Sequence, residues 1–207
     1  MKTILFQGDS ITDCLRYRED PYHLGSGYAV ITAGRIGVNF PGKYRFLNKG
    51  IGGNRSVDLY ARVKCDIIAL KPDILTILIG VNDTWHELAH QNGVSVERYE
   101  QLYDMLLCDV KAALPQTKIV LLEPFVLPGS GVEPYYDAFA QDVRNRQVVS
   151  KRLADKHGLS YVFLQKTLEN FAQKTSNDNV LLDGVHPSPT GHALIADALY
   201  RVLEPIL

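Results

Sequence analysis

Ile74-Leu75-Thr76-Ile77-Leu78-Ile79 is the stretch of sequence that decides the fold. Five of its six residues are aliphatic, and such a short apolar run is typical of a strand that is buried on both faces of a sheet. The stretches on either side, 56–70 and 96–114, instead repeat apolar residues at the helical spacing of three and four. Because parallel strands need a long crossover connection, a buried strand between two helices indicates a parallel sheet.

The same alternation of strand and helix runs through the whole chain. Two more helical stretches are predicted at 138–157 and 191–203, and four more short β-rich runs at 3–6, 44–47, 118–122 and 161–164. The pattern predicts a three-layer α/β/α fold with a flavodoxin-like, doubly wound, five-stranded parallel sheet in the order 2-1-3-4-5. No linker or repeat interrupts the 207 residues, so we expect a single domain over 1–207.

The composition is that of an ordinary folded protein, and it excludes several functional classes. Hydrophobic residues make up 46% of the chain, and 22 Lys and Arg balance 23 Asp and Glu. Because no cationic run stands out, neither a nucleic-acid nor a membrane-surface partner has electrostatic support. The three cysteines, Cys14, Cys65 and Cys108, form no C-x-x-C pair, which favours reduced thiols over a metal or disulfide framework. With no signal-like or membrane-spanning run in the sequence, we expect a cytoplasmic protein.

Polar segments follow the carboxyl ends of the predicted strands, which is where doubly wound folds bind ligands. They are 8–13 after the first strand, 48–55 after the second, 80–85 after the third and 182–188 beyond the last. Since these ends meet at one edge of the sheet, we expect the segments to form one site. A dinucleotide site is disfavoured, because the glycine-rich segment 50–55 ends in Arg55 where the G-x-G-x-x-G motif needs glycine.

The residue types in these segments suit nucleophilic catalysis by a serine. A serine hydroxyl needs a base within hydrogen-bond reach, an acid that orients the base, and donors for the developing oxyanion. Ser10 lies on a predicted strand-to-helix turn, and Asp183 and His186 arrive together in a late loop. Gly52 can bring a backbone N–H close to a substrate oxygen, and Asn82 offers a side-chain amide. The four segments thus supply every part that such a site needs.

Four blocks of the chain, in order and spacing, resemble those of the SGNH, or GDSL-type, esterase family. They are Gly8-Asp9-Ser10, Gly52 with Asn54, Gly80-Val81-Asn82-Asp83 and Asp183-Gly184-Val185-His186-Pro187. The resemblance implies a serine ester hydrolase with Ser10 as nucleophile, His186 as general base and Asp183 as the carboxylate that orients it. It also implies an oxyanion hole formed by Ser10, Gly52 and Asn82, and a reaction without cofactor or metal.

Further motifs resemble the intracellular, acetylxylan-esterase-like members of that family. They are Leu24-Gly25-Ser26-Gly27-Tyr28, Asn48-Lys49-Gly50-Ile51, Asn82-Asp83-Thr84-Trp85, Glu123-Pro124-Phe125, and His186-Pro187-Ser188 with Gly191-His192. Those members remove acetyl groups from sugar hydroxyls, and some assemble into oligomers. The resemblance therefore implies an acetylated carbohydrate, such as an acetylated xylo-oligosaccharide, as substrate, and it leaves a homo-oligomer open.

Three further residues are candidates for contact with the substrate. Trp85 could form a flat platform beside the oxyanion hole or plug the loop from behind. Tyr28 could line the pocket or pack in the interior, and Arg55 could bind substrate or pair with an acid.

Other functions remain as alternatives at this point. Members of the same family cleave lipid esters or thioesters, although no broad exposed apolar run indicates a lipid surface. On the same architecture, Asp9 and Asp13 could instead bind Mg²⁺ for phosphoryl transfer. A carbohydrate-binding module without catalysis is a third alternative, although binding alone requires no activated serine.

Overall fold

Five parallel strands form the centre of the structure, a computed structural model that describes residues 1–207. The strands are β1 (Lys2–Gly8), β2 (Tyr44–Asn48), β3 (Ile74–Leu78), β4 (Lys118–Leu122) and β5 (Ser160–Val162). They pair in parallel in the order β2-β1-β3-β4-β5. The predicted fold class and strand order are therefore confirmed.

Helices cover both faces of this sheet. They are α1 (Ser10–Asp13), α2 (Tyr28–Asn39), α3 (Ser56–Ala61), α4 (Val63–Asp66), α5 (Val81–His90), α6 (Val96–Ala113), α7 (Tyr136–His157), α8 (Gln165–Ala172) and α9 (Pro189–Leu203), with short 3-10 turns at Ile68–Leu70, Glu133–Tyr135 and Glu204–Ile206. No helix combines the length and the apolar content that crossing a bilayer requires. The cytoplasmic location stays a prediction.

The two faces of β3 show why an apolar run forms the central strand. All five of its residues are buried. Ile74 and Leu78 belong to one apolar cluster of the core, whereas Leu75 and Ile77 belong to the cluster on the opposite face. Because successive side chains of a strand alternate between faces, only a continuous apolar run can fill both layers.

One predicted helix is broken in the structure. The stretch 56–70 forms α3, α4 and a 3-10 turn, with the break at Arg62. The guanidinium of Arg62 donates hydrogen bonds to the carbonyl oxygens of Lys49 and Gly8 and to the side chain of Asn54. Arg62 thereby ties the break to the loops after β1 and β2, next to the site.

Candidate active site

The turn between β1 and α1 presents Ser10 at the edge of the sheet. Gly8 ends β1 where no side chain fits, since a Cβ there would lie 2.3 Å from the carbonyl oxygen of Leu78. Asp9 then caps α1, and its carboxylate accepts a hydrogen bond from the N–H of Ile11 at 3.0 Å. As the first residue of α1, Ser10 has a backbone N–H without a partner inside the helix. This N–H is available to a bound oxygen atom.

The loop before α9 brings the other two predicted catalytic residues to Ser10. Oδ1 of Asp183 accepts hydrogen bonds from the backbone N–H of Val185 at 2.9 Å and of His186 at 2.8 Å. Its Oδ2 lies 2.7 Å from Nδ1 of His186, and Nε2 of His186 lies 3.0 Å from Oγ of Ser10. The structure therefore brings the three residues together in one hydrogen-bonded chain.

The charges in this chain suit proton transfer through His186. Burial opposes ionisation of Asp183, but hydrogen bonds from the His186 ring and from two backbone N–H groups outweigh it and lower the pKa of Asp183 to about 2. The hydrogen bond to Asp183 raises the pKa of His186 above its ordinary 6.5, although burial acts in the opposite direction. Asp183 thus stays ionised and stabilises the protonated imidazole.

The predicted oxyanion donors are only partly free in the structure. Nδ2 of Asn82 donates one hydrogen bond to the carbonyl oxygen of Asn54 at 3.1 Å, which leaves its second hydrogen available. The N–H of Gly52, in contrast, already donates to the carboxylate of Asp13 at 3.1 Å. The next N–H, that of Gly53, has no acceptor within the protein.

Gly52 as an oxyanion donor therefore stays a prediction: it lines the pocket beside Ser10, but its N–H is taken up by Asp13 in this structure. The adjacent Gly53 has a free N–H and a φ of +79°, a conformation that favours glycine, but it does not line that pocket. The two glycines are adjacent, so sequence reasoning could not separate them. What separates them is Asp13, which reaches the turn from another segment of the chain.

Trp85 lies beside the catalytic histidine. Its ring centroid is 5.8 Å from that of His186 and 6.0 Å from that of Phe139, whose ring it meets edge to face. The indole is half-buried and packs against the apolar core. Trp85 therefore supports the position of His186, and contact with substrate stays a prediction.

The side chains of Tyr28 and Arg55 are both bonded to other residues of the protein. The prediction of substrate contact for Tyr28 is wrong, because the side chain is wholly buried and its hydroxyl lies 2.9 Å from Oγ1 of Thr12. The guanidinium of Arg55 pairs with the carboxylate of Asp58 and donates to the carbonyl oxygen of Asn92. Of the two alternatives for Arg55, the structure shows the ion pair.

A pocket of about 590 Å³ opens beside Ser10 and His186. Its other lining residues are Ile11, Asp13, Cys14, Leu15, Arg16, Arg18, Gly52, Leu182, Pro187 and His192. Sequence reasoning assigned no part to His192, whose Nδ1 accepts the N–H of Tyr28 and whose Nε2 lies 3.3 Å from Sγ of Cys14. The only sequence signal for it was the pair Gly191-His192, which belongs to the family resemblance.

The structure does not support a Mg²⁺ site at Asp9 and Asp13. The carboxylate of Asp9 is buried and bonded to its own turn, and burial raises its pKa to about 7 despite the hydrogen bond from Ile11. The carboxylate of Asp13 pairs with Arg18 at 2.6 Å. The first carboxylate is buried and the second is already paired, so neither offers the open oxygen ligands that Mg²⁺ prefers.

Known proteins resemble the chain in both sequence and fold. An acetylxylan esterase from Geobacillus stearothermophilus is 34% identical over 208 residues, which cover 96% of this chain and 92% of the esterase. A solved structure of an acetylxylan esterase from that organism, Axe2, superposes with a TM-score of 0.87 at 31% identity, covering 98% of this chain and 94% of the other. Solved variants called catalytic mutants of Axe2 replace a serine, an aspartate or a histidine by alanine.

A bacterial structure described as a GDSL-like lipase, from Parabacteroides merdae, gives a TM-score of 0.93 at 35% identity and covers 98% of this chain and 95% of the other. The model of the GDSL-like lipase/acylhydrolase family matches residues 6–194. The chain therefore belongs to the GDSL-like lipase/acylhydrolase family of carboxylic ester hydrolases.

Proposed function

We propose that the protein is a serine esterase that removes acetyl groups from a carbohydrate, such as an acetylated xylo-oligosaccharide. One observation carries the catalytic part of this proposal: the unbroken chain from Oγ of Ser10 through the His186 ring to Asp183, with distances of 3.0 Å and 2.7 Å. No cofactor takes part in the proposed reaction.

In the first half of the reaction, Oγ of Ser10 attacks the ester carbonyl carbon while Nε2 of His186 takes the hydroxyl proton. The tetrahedral intermediate then expels the sugar oxygen, which receives that proton from His186. The acetyl group stays on Ser10. Asp183 holds the ring in the tautomer with a proton on Nδ1 and stabilises its positive charge.

In the second half, water attacks the acetyl-serine and gives its proton to Nε2 of His186. Collapse of the second intermediate returns the proton to Oγ of Ser10 and releases acetic acid. In both halves the oxyanion would accept hydrogen bonds from the N–H of Ser10, the side chain of Asn82 and a backbone N–H of the glycine turn. The predicted donor of that turn is Gly52, which lines the pocket beside Ser10 and would exchange its bond to Asp13 for one to the oxyanion.

The acetylated-carbohydrate substrate has support from the relatives and from the pocket. The similar protein from Geobacillus stearothermophilus is an acetylxylan esterase. The pocket carries the guanidinium groups of Arg16 and Arg18 and the carboxylate of Asp13, which suit a substrate rich in hydroxyl groups. A homo-oligomer stays a prediction, which light scattering at micromolar protein would test.

A lipid or thioester substrate is the second candidate, and one feature favours it. Leu15 and Leu182 line the pocket and are 86% and 60% exposed. Such an apolar rim would stabilise a longer acyl chain.

Two measurements test the proposal. A fluorophosphonate probe should add once to the wild-type protein and not to Ser10→Ala, as read by intact mass. The kcat/KM for acetylated xylo-oligosaccharides should then exceed that for a lysophospholipid and for an acyl thioester. An adduct on Ser10 without a preference for acetylated xylo-oligosaccharides would support the catalytic serine but contradict the proposed substrate. A folded wild-type protein that forms no adduct would contradict the serine mechanism.

A further inference from the structure

Three metal-ligating side chains meet at a place remote from the candidate active site. Asp104 and Cys108 are one helical turn apart on α6, and His157 is the last residue of α7, which packs along α6. One ligand atom from each residue lies within 4.8 Å of the other two. Because α6 and α7 lead from the carboxyl end of one strand back to the start of the next, the second half of α6 and the last turn of α7 lie away from the edge of the sheet that carries Ser10.

Two of the three ligands are already aimed at each other. The His157 side chain is only 9% exposed, and its Nε2 lies 2.6 Å from Oδ1 of Asp104. The carbonyl oxygen of His157 accepts a hydrogen bond from Lys111 of α6 at 2.9 Å, which fixes the end of α7. Hydrogen bonds from Lys156 and His157 lower the pKa of Asp104, so this carboxylate is ionised.

The chemistry of the three side chains indicates which metal ion they would bind. Thiolate, imidazole and carboxylate are the groups that zinc uses, whereas Mg²⁺ and Ca²⁺ prefer sites built only of oxygen atoms. Zinc bond lengths of about 2.0–2.3 Å place tetrahedral ligand atoms roughly 3.3–3.6 Å apart. Oδ1 of Asp104 and Nε2 of His157, now 2.6 Å apart, would therefore separate slightly, with Sγ of Cys108 already within 4.8 Å of both ligand atoms.

The zinc ion would replace the ion pair between Lys156 and Asp104, which costs little free energy to break. Nζ of Lys156 lies 2.7 Å from Oδ2 of Asp104, but the Lys156 side chain is 57% exposed and can turn into solvent. Exposed ion pairs of this kind contribute little to stability. Binding also releases to solvent the hydrogen that Nε2 of His157 donates to Asp104 and the thiol hydrogen of Cys108, as the nitrogen–zinc and sulfur–zinc bonds form.

We propose that Asp104, Cys108 and His157 bind one zinc ion, with water in the fourth position, and that the ion links the second half of α6 to the last turn of α7. Such a site would join two helices, and it does not depend on the esterase reaction.

The first experiment measures protection of Cys108 in the chelator-treated protein. Iodoacetamide is added with and without zinc chloride, and mass spectrometry follows each cysteine. Zinc should slow alkylation of Cys108 at least tenfold and leave Cys65 unchanged, because Cys65 is also exposed but belongs to no such group. Equal slowing of both thiols, or of neither, would overturn the proposal.

Variants separate this site from other zinc-binding groups on the surface. His86 and His90 lie one turn apart on α5, with ring centroids 6.0 Å apart, and form a competing pair. His157→Gln should abolish protection of Cys108, whereas His90→Gln should preserve it. The reverse pattern would overturn the proposal.

A cobalt titration tests the sulfur–metal bond directly. Cobalt should give a near-ultraviolet thiolate charge-transfer band in the wild type and none in Cys108→Ser. Because Cys108 is exposed, this substitution should not disturb the fold. A band of equal strength in Cys108→Ser would overturn the proposal as well.

Discussion

Asp183 makes three hydrogen bonds that a neutral side chain cannot fully replace. An asparagine there would lose the charge that raises the pKa of His186. We therefore expect Asp183→Asn to lower kcat by about a thousandfold or more on a small acetyl ester. The acid limb of the pH profile, which marks protonation of His186, should also move to lower pH. Rates measured between pH 4 and 9 test this, with exposed Asp178→Asn as the matched control.

Asp13 is the second residue with a prediction of its own, because it ties the glycine turn to the segment of Ser10. Its carboxylate accepts the N–H of Gly52 and pairs with Arg18. Asp13→Ala frees the turn, and since small misplacements of donors are costly, kcat should fall roughly ten- to a hundredfold. Asp13→Asn keeps an acceptor and should recover most of that loss in steady-state assays. Equal activity of the alanine variant and wild type would show that Asp13 does not position the turn.

At the scale of the element, the cap of α9 is a test of local stability. Oγ of Ser188 accepts the N–H of Gly191 at 3.1 Å and donates to the carbonyl oxygen of Asn179 at 2.7 Å. Ser188→Ala should lower the free energy of unfolding by about 1–2 kcal/mol, since both bonds are lost and the site is buried. Urea unfolding measures this. The exposed cap of α6, changed by Ser95→Ala, should cost less, and equal losses would contradict the role of burial.

The elements also show how far sequence patterns reach. The buried strands were predictable because a strand between two layers must be apolar throughout, and 118–122 matches β4 residue for residue. The break in 56–70 was not, because the stretch keeps its helical periodicity and the break depends on the bonds of Arg62 to distant loops. No helix was predicted from the sequence at α2, α5 or α8, although the buried residues of α2, from Tyr28 to Ile36, do recur at helical spacing.

For the whole molecule too, the topology could be predicted from the sequence, whereas individual contacts between distant segments could not. The strand order places the segments of Ser10, Asn82 and His186 at one edge, so the candidate site could be located before any distance was known. The bond from Gly52 to Asp13 could not be foreseen, and the sequence left open whether Tyr28 lines the pocket or packs in the interior. Both depend on how segments pack across the fold, which no local pattern records.

Asp9 couples the site to the pH dependence of the stability of the whole molecule. Burial raises its pKa from 3.8 to about 7, so between these values the folded protein holds a proton that the unfolded chain has lost. The contribution of Asp9 to stability is therefore full below pH 3.8 and falls as the pH rises to 7. His192 acts in the opposite direction, because burial lowers its pKa from 6.5 to about 4.

The quantity that isolates Asp9 is thus the difference in free energy of unfolding between Asp9→Asn and the wild type. Asparagine is never charged and can still accept the N–H of Ile11, so the effect of His192 cancels in the difference. From pH 4.5 to 6.5 the free energy of unfolding of Asp9→Asn should increase relative to that of the wild type by roughly 1 kcal/mol per pH unit. Urea titrations across this range measure the gain, and parallel curves for the two proteins would show that Asp9 is ionised in the folded state.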